Sequence, residues 1–189
     1  MTLTKTPICD FGKKAENFEL KSTENKIITL NDAKGQNGTL IMFICNHCPY
    51  VKAVIDDIVH DCKLLEKEEI KSVAIMSNDA KNYPEDSFEN MIKFAKNHQF
   101  KNDNLNLPYL IDETQEVAKI YNAVCTPDFF GYNKNLELQY RGRIRELKDL
   151  KPVRNSESDL LKAMKMVAKT GKGPEEQIPS MGCSIKWFN

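Results

Sequence analysis

Apolar residues follow two rhythms along the 189-residue chain, and their alternation predicts the order of its elements. Phe18-Glu19-Leu20 and Lys26-Ile27-Ile28-Thr29-Leu30 flank the polar stretch from Lys21 to Asn25 and predict a short hairpin. Thr39-Leu40-Ile41-Met42-Phe43-Ile44 is apolar after its first residue, as expected of a central strand covered on both faces, and it runs directly into Cys45. Val51, Val54, Ile55, Ile58, Val59, Cys62 and Leu65 then recur every three or four positions and define one face of a long helix. Ser72-Val73-Ala74-Ile75-Met76 predicts a second buried strand. A polar loop with Pro84 follows, and Phe88, Met91, Ile92 and Ala95 mark a second helix.

This strand-helix-strand-helix order implies parallel strands joined by right-handed crossovers. Leu107 to Ile111 predicts a short strand and Glu113 to Tyr121 a short helix. Asp128 to Tyr132 and Leu136 to Tyr140 predict two strands around Asn133-Lys134-Asn135, a composition suited to a tight loop. Leu160, Leu161, Met164, Val167 and Ala168 form the apolar stripe of a last helix, with Gly171 where a left-handed cap is wanted. From Lys172 to Asn189 there is no period, so this tail is expected either to pack as coil or to stay mobile. Without internal repeats, a chain of this length suits one α/β domain over residues 1–189, with its core at about 12–170.

Charge narrows the function classes. The 27 basic and 27 acidic residues cancel, leaving no field to hold nucleic acid or an anionic membrane. The 41% apolar content is that of a folded protein, and no apolar stretch approaches a membrane span. The first residues lack the apolar run of a secretory signal, which predicts a cytoplasmic protein. Six cysteines are too sparse for a disulfide-stapled scaffold, so each is judged by its spacing.

Cys45-Asn46-His47-Cys48 lies at the predicted strand-to-helix junction. Backbone N–H groups at a helix start favour a thiolate, so Cys45 is expected to attack and Cys48, about one turn on, to resolve. An imidazolium at His47 would stabilise the Cys45 thiolate further. The same spacing also supplies half a zinc site, but no second C-x-x-C or H-x-x-x-H is present, and Cys9, Cys62, Cys125 and Cys183 stand isolated. No metal or other cofactor is therefore expected. Cys62 falls on an apolar stripe and is expected in the core. Cys9 is expected to precede the fold, and Trp187 and Phe188 to anchor the tail in an apolar groove.

Further residues carry a resemblance: Phe43 to Pro49, Ser77-Asn78-Asp79, Tyr83-Pro84-Glu85-Asp86, Asp112 to Ala118, Cys125-Thr126-Pro127-Asp128-Phe129-Phe130, and Gly182-Cys183-Ser184-Ile185-Lys186-Trp187. Over about residues 12–170 the chain resembles the thioredoxin superfamily, in its peroxiredoxin-like, AhpC/TSA-related branch with a thioredoxin-type C-x-x-C. The resemblance implies a thioredoxin-like fold, a central mixed sheet flanked by helices, with an N-terminal hairpin and a C-terminal extension. It implies that Thr126-Pro127 is a cis-proline element facing the cysteines, with the backbone before the proline free to hydrogen-bond an extended substrate. It also puts Cys125 near the pair, either as an auxiliary thiol or as packing beneath the loop.

The chain departs from these patterns in several places. Aligned on Cys48, the peroxidase motif P-x-x-x-T-x-x-C meets Ile41 and Cys45 at its proline and threonine, and no arginine stands near Cys125 to Pro127. Thr39 replaces the buried acid of many thioredoxins. Asp128 is then the nearest candidate base for the Cys48 proton, or else a plain strand-end carboxylate. Arg141, Arg143 and Arg145 are expected to face solvent along an edge strand, with anion binding as the alternative. Cys183 has no assigned role. The expected function is thiol-disulfide exchange with a protein or small-molecule disulfide, renewed by a cellular thiol reductant. An antioxidant thiol peroxidase using the same cysteines is the alternative, followed by a non-catalytic or metal-binding module.

Overall fold

A computed structural model describes residues 2–188. In chain order its elements are β1 (Leu3–Lys5), β2 (Glu19–Ser22), β3 (Ile27–Thr29), α1 (Leu30–Ala33), β4 (Gly38–Phe43), α2 (Pro49–Lys67), β5 (Ile70–Met76) and α3 (Phe88–Asn97). A short hairpin, β6 (Lys101–Asn102) and β7 (Leu105–Asn106), precedes β8 (Tyr109–Ile111), α4 (Glu116–Tyr121), β9 (Cys125–Thr126), β10 (Asp128–Asn133) and β11 (Leu138–Tyr140). A second small hairpin, β12 (Leu147–Lys148) and β13 (Lys151–Pro152), leads to α5 (Asp159–Thr170) and β14 (Met181–Ser184).

Seven strands form one mixed sheet in the order β11-β10-β4-β5-β8-β2-β3. The predicted crossovers make β4, β5 and β8 parallel, while β10 and β2 flank them antiparallel. Every position of β4 is buried, as its unbroken apolar run requires. The pleat sends Leu40, Met42 and Ile44 to one face, against the stripes of α2 and α5, and Ile41 and Phe43 to the other, against α1, α4 and Phe18. The sheet is therefore covered on both sides, and the C-terminal end of β4 opens into Cys45. Among the described residues no helix is long and apolar enough to cross a membrane.

Several expectations are corrected. Helix α4 begins at Glu116 rather than Glu113, because Gln115 adopts a left-handed φ of 63°. Leu136 is not in a strand: Asn133 Oδ1 accepts from the N–H groups of Asn135 and Glu137 and lengthens the loop, leaving Leu136 at φ 58°.

The arginines after β11 do not form a solvent-facing row. The Arg141 and Arg145 side chains are 6% and 9% exposed, turned inward by Asp128 and Asp57, and Arg143 is half-buried against Asp159. Buried carboxylates override the period-two pattern here, since an unpaired buried charge is costly. Nor does Cys9 precede the fold; it is buried in the core on the α4 side.

The tail packs mostly as coil, but Met181–Ser184 within it forms a strand. β14 lies between β1 and β9 in a separate three-stranded sheet. Trp187 and Phe188 are 39% and 48% exposed, so they do not anchor it in an apolar groove. The tail is held through its backbone: Asp79 N–H and Gln115 Nε2 donate to the Lys186 carbonyl, and Lys186 N–H donates to Asn78 Oδ1.

Candidate active site

Strand β4 ends in a ladder bond from Ile44 N–H to Ile75 O, and α2 starts at Pro49, a favoured first helical residue. Cys48 is therefore the helix N-cap, and Cys45 stands three residues before it, off the helix. The turn between them is clamped by Asp86, from a 3-10 turn at Pro84–Asp86. Its carboxylate accepts from Asn46 N–H at 2.8 Å, Asn78 Nδ2 at 2.7 Å and His47 Nδ1 at 2.7 Å. Asn46 braces the turn from its other side, donating to Glu85 O and accepting from the Tyr109 hydroxyl.

Facing this turn is the Thr126-Pro127 peptide, which is cis. Thr126 Oγ1 lies 3.3 Å from Cys45 Sγ, and Cys48 Sγ donates to the Thr126 carbonyl at 3.1 Å. Cys45, Cys48, Thr126 and Pro127 thus converge. A third sulfur joins them: Cys183 Sγ is 3.0 Å from Cys48 Sγ. Cys45 and Cys48 are 1% and 0% exposed.

The electrostatics differ between the two thiols. The hydrogen bond from Cys45 is the largest effect lowering the Cys48 pKa; burial opposes it, and the Cys183 thiol and Val51 N–H add to the lowering. Cys45 is pushed up, because it donates to Cys48, is buried and faces the Asp86 charge. The expectation put the thiolate on the first cysteine, whereas these contacts favour it on Cys48. The reason lies mainly in the Cys45 and Cys183 thiols that turn to Cys48, with the Val51 N–H of the first helical turn a smaller contribution.

His47 Nδ1 donates to Asp86 rather than to a sulfur, and its ring stacks parallel to Tyr83 at 5.8 Å. The Asp86 hydrogen bond raises its pKa against the effect of burial, and Cys48 adds only a smaller attraction. Asp86 is lowered: burial would raise it, but the His47 and Asn78 hydrogen bonds outweigh that.

Asp128 is fully buried below the proline, where it accepts from Arg141 Nη2 at 3.0 Å and Val124 N–H at 3.1 Å. Cys48 Sγ lies against the Thr126 carbonyl and Cys183 Sγ, while Asp128 is engaged by Arg141 and Val124 and so sits as a loop anchor. Cys125 is buried with its thiol toward Pro127 O at 3.6 Å, and burial raises its pKa. Cys62 is in the core and is pushed up to about 12 by burial. Thr39 accepts from Gly35 N–H, so that position closes a turn.

Two further features were not visible in the pattern. The expected free edge at Thr126 is occupied, because β14 pairs there with Cys183 opposite Thr126 and Ser184 opposite Cys125. Asp86 and Cys183 each fall within a recognisable motif, but no local period connects either of them to the cysteine pair.

Ligand atoms of Cys45, His47 and Asp86 lie within 4.8 Å of one another. This is a three-donor set of the kind an open zinc site uses. The Asp86 oxygens already accept three N–H groups, however, and a cation would have to displace them. A cleft of about 230 Å³ lies beside Pro127, lined by Tyr50, Val54, Ile144 and Met181. A larger one of about 380 Å³, over β2, β3 and α3, includes none of these site residues.

The signature of the AhpC/TSA family matches residues 11–147. Among solved structures, an uncharacterized conserved protein from Geobacillus kaustophilus is 39% identical with a TM-score of 0.91, covering 100% of this chain and 97% of its own. A hypothetical protein from Sinorhizobium meliloti 1021 is 32% identical with a TM-score of 0.87, covering 98% of each chain. The thioredoxin domain of a thiol-disulfide oxidoreductase from Bacteroides vulgatus shares the fold at 13% identity, with a TM-score of 0.56 and coverage of 69% and 86%. No curated protein gives a significant match.

Proposed function

Because the chain belongs to the AhpC/TSA family and has the thioredoxin-like fold, we propose that it is a thiol-disulfide oxidoreductase whose working dithiol is Cys45 and Cys48. The carrying observation is the pair itself, set between a strand end and a helix start and held against the cis Thr126-Pro127 peptide. Cys48 is the attacking sulfur: the N-cap position and its hydrogen bonds favour the thiolate there. It attacks one sulfur of a substrate disulfide, forming a Cys48 mixed disulfide and expelling the other substrate thiolate. Cys45 then loses its proton and attacks Cys48 Sγ, releasing the second substrate thiolate and leaving a Cys45–Cys48 disulfide. A cellular thiol reductant returns the dithiol by the reverse exchange.

Both sulfurs are buried, so the substrate class is one that reaches them by displacing part of the cover. The cleft beside Pro127, apolar along Tyr50, Val54 and Ile144, suits an apolar side chain flanking a protein disulfide. A small disulfide reaches the same sulfur without using it. The cytoplasm, where a cellular thiol reductant can renew the dithiol, is the compartment we assign.

Peroxide reduction is the second reading, favoured by family membership and by the Cys48 thiolate. Against it, Ile41 and Cys45 stand where the peroxidase motif needs proline and threonine, and the Arg141 guanidinium is committed to Asp128. One experiment separates the two: reduced wild type, Cys45→Ser and Cys48→Ser are each given a model protein disulfide and hydrogen peroxide. The exchange reading expects disulfide reduction that is lost in Cys48→Ser and that far outpaces peroxide consumption in the wild type. Rapid peroxide consumption by Cys45→Ser, with a sulfenic acid at Cys48, would establish the peroxidase instead.

A further inference from the structure

Cys183 is the nearest sulfur to Cys48 that the C-x-x-C pair does not account for, and its position is built rather than incidental. Ser180 Oγ donates to the Pro127 carbonyl at 2.8 Å at one end of β14, and the Lys186 backbone is tied to Asp79, Asn78 and Gln115 at the other. Between these anchors, Gly182 passes so close to Thr126 that a Cβ there would lie 2.0 Å from the Thr126 carbonyl oxygen. Glycine at 182 lets the strand approach, and that approach brings Cys183 Sγ to 3.0 Å from Cys48 Sγ, shorter than the roughly 3.5–4.0 Å at which carbon atoms pack. Cys125, in the neighbouring strand, is turned away toward Pro127 O.

We propose that Cys183 is a third redox-active cysteine, and that Cys48 exchanges its disulfide between Cys45 and Cys183. The inference rests on Cys48 being the attacking sulfur. In a Cys48 mixed disulfide, deprotonated Cys183 attacks Cys48 Sγ, the bond from Cys48 to the substrate sulfur breaks, and the substrate leaves as a thiolate that takes up a proton. In protein already oxidised at Cys45–Cys48, the same attack forms Cys48–Cys183 and expels Cys45, which takes up the proton Cys183 released. One disulfide replaces another, so the second step needs no external oxidant or reductant. The tail thereby offers a second route for resolving substrate and a second resting disulfide.

The test uses oxidised glutathione as the substrate and the full chain in four forms: wild type, Cys45→Ser, Cys45→Ser/Cys183→Ala and Cys45→Ser/Cys125→Ala. Trypsin leaves Cys48 on residues 35–52, Cys125 on 120–134 and Cys183 on 173–186, so mass spectrometry without reductant identifies each linkage. In Cys45→Ser, glutathione is expected to add to Cys48 and then leave, with 35–52 joined to 173–186. Removing Cys183 as well should lengthen the life of the glutathione adduct by about tenfold or more, whereas removing Cys125 should not. Circular dichroism checks that each variant is folded, and Cys183→Ser replaces Cys183→Ala if the latter is not. An adduct that persists equally with and without Cys183 overturns the inference while leaving Cys48 as the attacking sulfur. Absence of any Cys48 adduct, with glutathione on Cys45 of the wild type instead, overturns the assignment of Cys48 and the inference with it.

Discussion

Asp86 and Asp128 are both fully buried, and each accepts a backbone N–H near a loop that touches the sulfurs, from Asn46 in one case and Val124 in the other. Their counter-charges differ. Asp128 faces Arg141, whose guanidinium lies over the Phe130 ring at 4.4 Å. Asp86 faces His47, an imidazole whose charge depends on pH and whose side chain stays 14% exposed. The carboxylates respond accordingly: burial raises the Asp128 pKa, with Arg141 only partly opposing it, whereas the His47 and Asn78 hydrogen bonds bring Asp86 below its usual value despite burial. The proline loop therefore has a permanent clamp and the cysteine turn a pH-sensitive one.

The largest expected effect is on the permanent clamp. Arg141→Ala leaves a buried carboxylate without its cation and should cost about 3–5 kcal/mol in urea unfolding at neutral pH. Arg141→Lys should recover only part of this, because a single ammonium cannot reproduce the two-pronged contact. Full recovery by lysine would show that charge alone holds the proline loop.

Asp86→Asn should cost less, about 3 kcal/mol at most, since an amide oxygen can still accept one of the three N–H groups. Its signature is the pH dependence. His47 has a raised folded pKa, so its contribution is complete below its unfolded value of about 6.5 and is lost as pH rises through the folded value. Asp86 has a lowered folded pKa, so its contribution is present above its unfolded value of about 3.9 and is lost as pH falls through the folded one. The stability gap between wild type and Asp86→Asn should therefore be widest between those limits and narrow on the alkaline side. NMR titration should show the His47 pKa falling in the variant. A gap that is flat across this range would mean that the turn is held by hydrogen bonds alone.

Gly182→Ala tests the strand that touches the proline loop. The added Cβ meets the Thr126 carbonyl and should displace β14 at a cost of about 2 kcal/mol. Alkylation of Cys48 by iodoacetamide should speed up as the cover loosens. An unchanged alkylation rate would place the route to the sulfur elsewhere.

The smallest effect is expected from His47→Asn, about 1 kcal/mol at neutral pH. The Cys48 thiolate titration, followed by absorbance, should hardly move, because Cys45, Cys183 and Val51 supply the main hydrogen bonds to that sulfur. A large rise in the Cys48 pKa would return His47 to a direct part in activating the thiol.

The sequence by itself determined the frame of the molecule. An unbroken apolar run made β4 central, three- and four-residue spacing made α2 amphipathic, and their junction set Cys45 and Cys48 between a strand end and a helix. These are local properties, governed by backbone period and by which faces must leave water. Thr126-Pro127 was reached by resemblance rather than by any rhythm in the chain. Tertiary structure decided where Arg141 and Arg145 point and what lies on the Thr126 edge. Pro49 set the helix start and so made Cys48 the cap, while Asp128 and Asp57 drew two arginines inward against a pattern that put them in solvent. Cys183 meets Cys48 across 135 residues of chain. Periodicity records whether a side chain is apolar, but not which distant charge or sulfur it will meet, and those meetings exist only after the sheet has closed.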